Sequence, residues 1–111
     1  MHSKNEQLVH RLIEKTESGE INWNSTSRPM QYTLSMTANQ ILIERTANMG
    51  IVKYRFSILD SQGGDVESMS HQYNTPTVTP DAALLKKLYE AAHRNANHID
   101  ETIDRLLNEL D

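Results

Sequence analysis

The spacing of apolar residues near the start of the chain predicts a helix over residues 3–17. Ser3 and Glu6 have the S-x-x-E spacing of a capping box, in which each side chain satisfies a free backbone N–H of the other residue. Side chains that can form one stripe then recur at helical intervals: Leu8, Val9, Leu12, Ile13 and Thr16. Gly19 suits the left-handed conformation that ends many helices, so we expect the helix to end just before it.

The segment from about residue 20 to residue 73 alternates apolar and polar side chains, as β-strands do. Ile21 and Trp23 begin the alternation. It is clearest where polar residues separate four apolar ones: Met30, Tyr32, Leu34 and Met36. A short apolar run follows at 41–43, apolar and polar residues alternate over 52–58, and residues 66–73 predict a last strand, with turn residues between these segments. The pattern predicts an antiparallel meander of four or five strands.

The two central strands allow a prediction of their pairing. The isoleucines of 41–43 must share a face with the apolar residues of 52–56, because a slip of one residue would turn a whole set toward water. We expect position 43 opposite 54 and position 41 opposite 56, joined by a two-residue loop at 48–49 or a four-residue loop at 47–50. This pairing also sets Glu44 opposite Lys53, a favourable pair on the outer face.

The last third of the chain predicts a long helix over residues 80–110. Thr79 is placed to cap it, Pro80 suits the first helical position, and Asp81 puts a negative charge at the positive end of the helix dipole. Apolar or small residues then follow at alternating intervals of four and three, the heptad spacing of helix–helix contacts: Leu85, Tyr89, Ala92, Ala96, Ile99, Ile103, Leu106 and Leu110.

A continuous helix over 80–110 would be about 45 Å long, whereas a compact domain of this size has a radius of gyration of about 13 Å. Either the helix breaks near residues 95–98, where Asn97 or His98 precedes Asp100, or it runs past the sheet and needs another surface. We favour the continuous helix because the heptad spacing keeps its phase through 95–98. It would form a homodimer through Tyr89, Ala92, Ala96, Ile99, Ile103, Leu106 and Leu110.

Composition narrows the class of protein. The chain of 111 residues has the length of one domain. Because only 37% of the residues are apolar, we expect a small core whose stability would increase if the chain associated with another chain. The absence of cysteine excludes disulfides and Cys-based metal sites, and a net charge of −4 opposes general nucleic-acid binding. No apolar run approaches the ~20 residues of a membrane span. The first residues, MHSKNEQLVHRLIEK, contain no signal-peptide core, so we expect a cytoplasmic protein without membrane or nucleic-acid partners.

The most polar cluster inside the last predicted helix has two interpretations. Arg94 and His98 lie beside small alanines that would let a ligand or another helix come close. In one interpretation they contact an anion or nucleotide in a cleft between sheet and helix, lined also by Trp23 and Tyr32, and the protein sequesters a small ligand. In the other, which we favour, an asparagine of this cluster is hydrogen-bonded at a contact between helices.

The remaining polar residues give no complete catalytic or metal site. His93 and His98 are five apart, about 140° around a helix, so they do not share a face. His10 and Glu14 could share one, but two ligands do not make a metal site. Asp100 and the carboxylate one turn later are typical of a solvated helix face, since nothing predicts a pocket around them. We therefore expect no enzyme activity, no metal and no cofactor.

Three stretches share a resemblance with known proteins: INW at 21–23, LYEAAHR at 88–94 and IDETI at 99–103, with tyrosine-rich strands between them. The layout resembles small stand-alone bacterial proteins of unknown function that consist of a helix, an antiparallel meander and a long helix. The resemblance covers most of the chain and implies no activity. We expect a single α+β domain over 1–111, with both helices on one sheet face. We expect it to act as a binding or adaptor protein that forms a homodimer and takes a protein partner.

Overall fold

The computed structural model describes residues 1–74 and 76–111, and within them the chain forms three helices and one five-stranded sheet. In chain order the elements are α1 (Ser3–Glu17), β1 (Asn24–Ser25), β2 (Gln31–Ser35), β3 (Asn39–Asn48), β4 (Ile51–Asp60), β5 (Asp65–Tyr73), α2 (Pro80–Ala96) and α3 (Ile99–Leu110). The strands pair in sequence order, each antiparallel to its neighbour. The predicted α+β class and antiparallel meander are confirmed.

Helix α1 has the predicted extent but a different N-cap. His2 precedes the first turn, and its Nδ1 accepts a hydrogen bond from the backbone N–H two residues on, at 3.2 Å. The predicted capping box of Ser3 and Glu6 is wrong by one position, because Ser3 already lies in the helix. At the other end Gly19 adopts φ 78°, as predicted, and its N–H donates to the Thr16 carbonyl at 3.1 Å.

Alternation along the strands turns one face of the sheet toward the core. Tyr32 and Leu34 of β2 are buried. The buried apolar residues of β3 and β4 are Ile41, Ile43, Tyr54 and Phe56. Trp23, expected within the first strand, is buried just before β1, which has only two residues. The Asn95 side chain accepts a hydrogen bond from the Trp23 N–H, which takes this residue out of the sheet pairing.

The β3–β4 hairpin keeps the predicted faces but shifts the predicted pairing by two residues. Position 43 lies opposite 56 rather than 54, and Glu44 lies opposite Arg55 rather than position 53. The loop is formed by Met49 and Gly50, which have φ values of 52° and 79°, as in a type I′ turn. Gly50 adopts this conformation without steric cost, so it decides the position of the turn. A shift of two residues leaves every side chain on its predicted face.

Helix α2 begins as predicted. The Thr79 Oγ1 accepts a hydrogen bond from the Ala82 N–H at 3.2 Å, and Pro80 occupies the first turn. Asp81 in the same turn is 3.8 Å from His71 Nε2 of β5. The cap, the proline and the early carboxylate therefore act together to start the helix at the residue that the sequence indicates.

The predicted continuous helix over 80–110 is wrong, because α2 ends at Ala96 and α3 starts after a two-residue break. His98 has φ 53° and ψ 41°, in the left-handed region, and turns the chain between the helices. The Asn97 side chain donates to the His93 carbonyl at 2.8 Å and so competes with the helical backbone. Asp100 then favours a new helix start. The alternative of a break near 95–98 is therefore confirmed.

Helices α1 and α2 pack on the same face of the sheet and close the core. They contribute seven side chains to it: Val9, Leu12, Ile13, Leu85, Leu88, Tyr89 and Ala92. Helix α3 contributes no buried residue.

The radius of gyration is 15.0 Å, compared with about 13 Å for a compact chain of this length. Among residues 1–74 and 76–111, no helix combines the length and the apolar composition that crossing a membrane requires.

Candidate functional site

A cleft of about 550 Å³ opens where the end of α1, the second half of α2 and the start of α3 meet. The turn at Gly19 and the break at Asn97 and His98 leave this space between the three helix ends. Its lining is mostly polar: Thr16, Glu17, Ser18, Gly19, Asn22, Lys87, Glu90, Ala91, Arg94, Asn95, His98, Asp100 and Glu101. The cleft is therefore a place between helices, not the predicted one between sheet and helix.

Asn95 fixes the loop that forms one wall of the cleft. Its Nδ2 donates to the Ile21 carbonyl at 3.0 Å, and its Oδ1 accepts from the Trp23 N–H at 2.7 Å. An asparagine of the polar cluster is therefore hydrogen-bonded at a packing contact, as one interpretation of the sequence predicted. Its partner is the loop before β1 rather than another helix. Both the amide nitrogen and the amide oxygen of Asn95 therefore hold this loop against α2.

Arg94 and His98, the two predicted polar ligand groups, both line this cleft. The Arg94 guanidinium donates to the Asp100 carboxylate, and His98 Nδ1 lies 3.5 Å from the Glu101 carboxylate. Their side chains are at least half exposed, and such pairs contribute at most about 1 kcal/mol. The whole lining contains four carboxylates and only two permanent cations, so it repels a phosphate group more than it attracts one.

Trp23 and Tyr32, the two predicted aromatic ligand groups, belong to the core and not to the cleft. Trp23 is 3% exposed and its Nε1 donates to Thr16 Oγ1 at 2.9 Å. Tyr32 is 6% exposed and its hydroxyl lies 2.5 Å from His93 Nδ1. The prediction that they line a ligand site with Arg94 and His98 is wrong, because a chain with few aromatic residues uses them to fill the core.

The chain's four tyrosines and His93 form a cluster beneath and beside α2 that the sequence analysis missed. Neighbouring ring centroids lie 5.6 to 6.2 Å apart. Burial raises the pKa of Tyr89 to about 12, and its hydroxyl donates to Met30 Sδ at 3.1 Å. At the edge of the cluster, the Lys86 ammonium lies 4.5 Å from the centre of the Tyr73 ring. The four-residue spacing of Tyr89 and His93 indicates that they share one side of α2. Their contacts with the tyrosines of the sheet depend on the strand register, which the sequence does not show.

Helix α3 exposes a continuous apolar face, which we call the α3 stripe. It consists of Ile103, Leu106, Leu107 and Leu110, which are 44%, 47%, 55% and 84% exposed. Of the other residues predicted to form a dimer interface, Ile99 and Ala96 are half-buried. Tyr89 and Ala92 are 6% and 0% exposed, so their assignment to an interface is wrong: both belong to the core of the same chain.

The arrangement offers a polar cleft and an apolar helix face. The described residues hold no group of three or more His, Asp or Glu side chains positioned to bind a metal ion, and Asp100 and Asp104 are exposed on α3. Comparisons with protein-family models, curated proteins and solved structures found no match to the chain. The polar cleft and the α3 stripe are therefore the two surfaces on which a function can rest.

Proposed function

We propose that this chain is a non-enzymatic binding protein that forms a homodimer through the apolar face of α3. The observation that supports it is the α3 stripe, whose four large apolar side chains are about half exposed or more, on a helix with no buried residue. An adaptor role would use the same dimer to bring two copies of a further protein together.

The stripe is more than a few scattered apolar residues. A helix of twelve residues is about 18 Å long, and an isolated helix of this length is marginally stable in water. Full burial of one leucine or isoleucine contributes about 1.5–3 kcal/mol. Because the stripe is already about half covered, burying the rest of all four side chains would contribute on the order of 4 kcal/mol. Association therefore stabilises α3 and removes the apolar surface together.

Size-exclusion chromatography with light scattering tests the proposal. We expect a dimer at micromolar concentration, and we expect Leu106→Asp to convert it to a monomer, because a carboxylate at the centre of the stripe would have to be buried. Asn108→Asp is the matched control, since it adds the same charge to the exposed opposite side of α3. A parent protein that is monomeric at this concentration, and that Leu106→Asp leaves unchanged, would refute the proposal.

We propose a cytoplasmic location, and a bacterial origin follows only from the resemblance of the layout to small bacterial proteins. The absence of cysteine agrees with a compartment in which disulfides are rare. The net charge of −4 agrees with a protein partner and opposes a nucleic-acid one.

The alternative function is the binding or sequestration of a small ligand, such as a nucleotide. The cleft supports it, because Arg94 and His98 line the same space of about 550 Å³. The excess of carboxylates favours a ligand with a cationic group over a nucleotide. Thermal-shift measurements with nucleotides and with small amines, on the parent and on Arg94→Ala, separate the cases. No stabilisation by any ligand, together with an Arg94→Ala variant that behaves like the parent, would exclude this alternative.

A further inference from the structure

A row of side chains crosses three strands at the edge of the helix layer. Ala47 lies opposite Val52, and Val52 lies opposite Tyr73, so all three point to the face that α1 and α2 cover. Val52 and Tyr73 pack against the rim of the core, whereas Ala47 is exposed. The sheet therefore continues beyond α2 as a partly apolar surface.

Three further side chains complete this surface: Met30, Arg45 and Lys86. We call the whole surface the hairpin shelf, and it consists of Met30, Arg45, Ala47, Val52, Tyr73 and Lys86. Met30 is 50% exposed and accepts the hydrogen bond from Tyr89 on α2. Arg45 occupies the same sheet face as Ala47, two residues away. Lys86 lies over the Tyr73 ring. The shelf thus combines apolar contacts with two permanent positive charges.

The charge of α3 is opposite to that of the shelf. Residues 99–111 contain five carboxylates and one arginine, which accounts for the whole net charge of −4, so residues 1–98 are neutral in sum. Asp104 and Glu109 lie on the two sides of the α3 stripe, about 100° or more from its centre. A surface that covers the stripe and also neutralises its flanks has to be apolar with basic side chains, as the hairpin shelf is.

The dimensions also agree. Strands β2 to β5 are separated by three spacings of about 4.8 Å, so the shelf is about 14 Å wide, and α3 is about 18 Å long. Two copies of α3 facing each other would instead bring two strongly acidic helices together, which costs free energy through like-charge repulsion. The shelf is therefore the better counterpart for α3 than a second α3.

We propose that α3 of one copy lies on the hairpin shelf of a second copy beside its α2, and that the exchange is reciprocal. The inference rests on the proposed function, because it names the surface that the self-associating helix occupies. The reciprocal contact closes a two-fold dimer and forms twice. Asp104 and Glu109 then lie near Arg45 and Lys86 of the other copy, while the α3 stripe covers Val52 and Tyr73.

Site-directed cross-linking tests this arrangement without background, since the chain has no cysteine of its own. One population is Ala47→Cys and the other, with an affinity tag, is Leu106→Cys. After the two are mixed and treated with a short bismaleimide, we expect a tagged–untagged dimer joined between positions 47 and 106. Thr46→Cys is the matched control, because it is the exposed neighbour on the opposite sheet face and should give at least tenfold less product.

The other outcomes distinguish this inference from the proposed function. Cross-linking of Leu106→Cys with itself, but not with Ala47→Cys, would overturn the inference and keep the homodimer. A doubly substituted chain that cross-links only within a monomer, or the absence of any product from a monomeric protein, would overturn both.

A charge exchange provides a second readout that does not depend on cysteines. Arg45→Glu with Lys86→Glu should weaken dimerisation at least tenfold. Adding Asp104→Lys and Glu109→Lys to the same chain should restore it, because the pairs are then reversed rather than removed. A fourfold variant that remains as weak as the double variant, with an unchanged melting temperature, would overturn the inference.

Discussion

Thr16 connects α1 to the loop before β1 through two hydrogen bonds. Its Oγ1 donates to the Leu12 carbonyl at 2.5 Å and accepts from Trp23 Nε1 at 2.9 Å. Thr16 and Trp23 are both at most 4% exposed. We expect Thr16→Val to lower the free energy of unfolding by about 1–3 kcal/mol, because it leaves the indole N–H buried without an acceptor. Urea unfolding followed by the fluorescence of the single tryptophan measures this loss.

Thr33 is the matched control for that substitution. Its Oγ1 is buried and has no hydrogen-bond partner among the residues that the structure describes. Thr33→Val therefore removes no bond and places a β-branched apolar residue in a strand, so we expect unchanged or higher stability. Equal losses for Thr16→Val and Thr33→Val would show that the Trp23 hydrogen bond contributes nothing measurable.

The raised pKa of Tyr89 predicts how the free energy of unfolding changes at alkaline pH. Burial, with a smaller contribution from Tyr32, raises its pKa to about 12, so folding favours the neutral phenol. This contribution is fully present below the ordinary pKa of about 10 and is lost as the pH rises toward 12, at roughly 1.4 kcal/mol per unit. We expect the parent to lose more stability than Tyr89→Phe between pH 9 and 12, a range set by these pKa values of about 10 and 12. Parallel losses in urea unfolding would contradict this.

At the scale of elements, two helix boundaries that neighbouring residues decide were predicted correctly. The α2 start at Thr79 and the α1 end at Gly19 depend on local hydrogen bonds and were confirmed. The hairpin pairing was wrong because it depends on which residues adopt a positive φ, and Gly50 decides that. The prediction of a continuous helix over 80–110 was wrong because the spacing of apolar residues indicates which face is buried. It does not indicate whether the backbone turns at His98.

The candidate site was predicted only in part, because the sequence pattern reports which residues are neighbours along a helix but not how distant segments pack. Arg94 and His98 are four residues apart, and they line one cleft even though the helix ends between them. Trp23 and Tyr32 were assigned to that cleft without knowledge of the strand register or of the helix order in space. Their burial follows from long-range packing, which a local pattern does not contain.

The break between α2 and α3 depends on two residues and allows a test of its own. We expect Asn97→Ala with His98→Ala to favour one continuous helix, because it removes the competing amide and introduces good helix formers. His98→Gly is the control that should retain the bend, since glycine adopts the left-handed conformation readily. Spin labels on cysteines at positions 87 and 108 measure the difference, because a continuous helix separates them by about 32 Å. An unchanged distance in the double variant would contradict this role.

The whole molecule consists of an electrically neutral body and a charged, partly apolar last helix. The sheet, α1 and α2 close the core without α3, whose residues are absent from it. The net charge of −4 lies within residues 99–111. The thin core expected from the composition is therefore complete in one chain, and the apolar surface left over is concentrated on α3. The proposed association rests on this division between a neutral body and an exposed apolar helix face.

The same division predicts how dimerisation depends on salt. Attraction between acidic α3 and the basic hairpin shelf should weaken as the ionic strength rises from about 0.1 M to about 1 M, because the screening length falls from about 10 Å to about 3 Å. Contact between two acidic α3 helices should instead strengthen, since salt screens their repulsion. Sedimentation equilibrium at both concentrations measures the sign, and the Arg45→Glu, Lys86→Glu variant should lose the dependence. Stronger dimerisation in high salt would favour α3 pairing with α3 over the hairpin shelf.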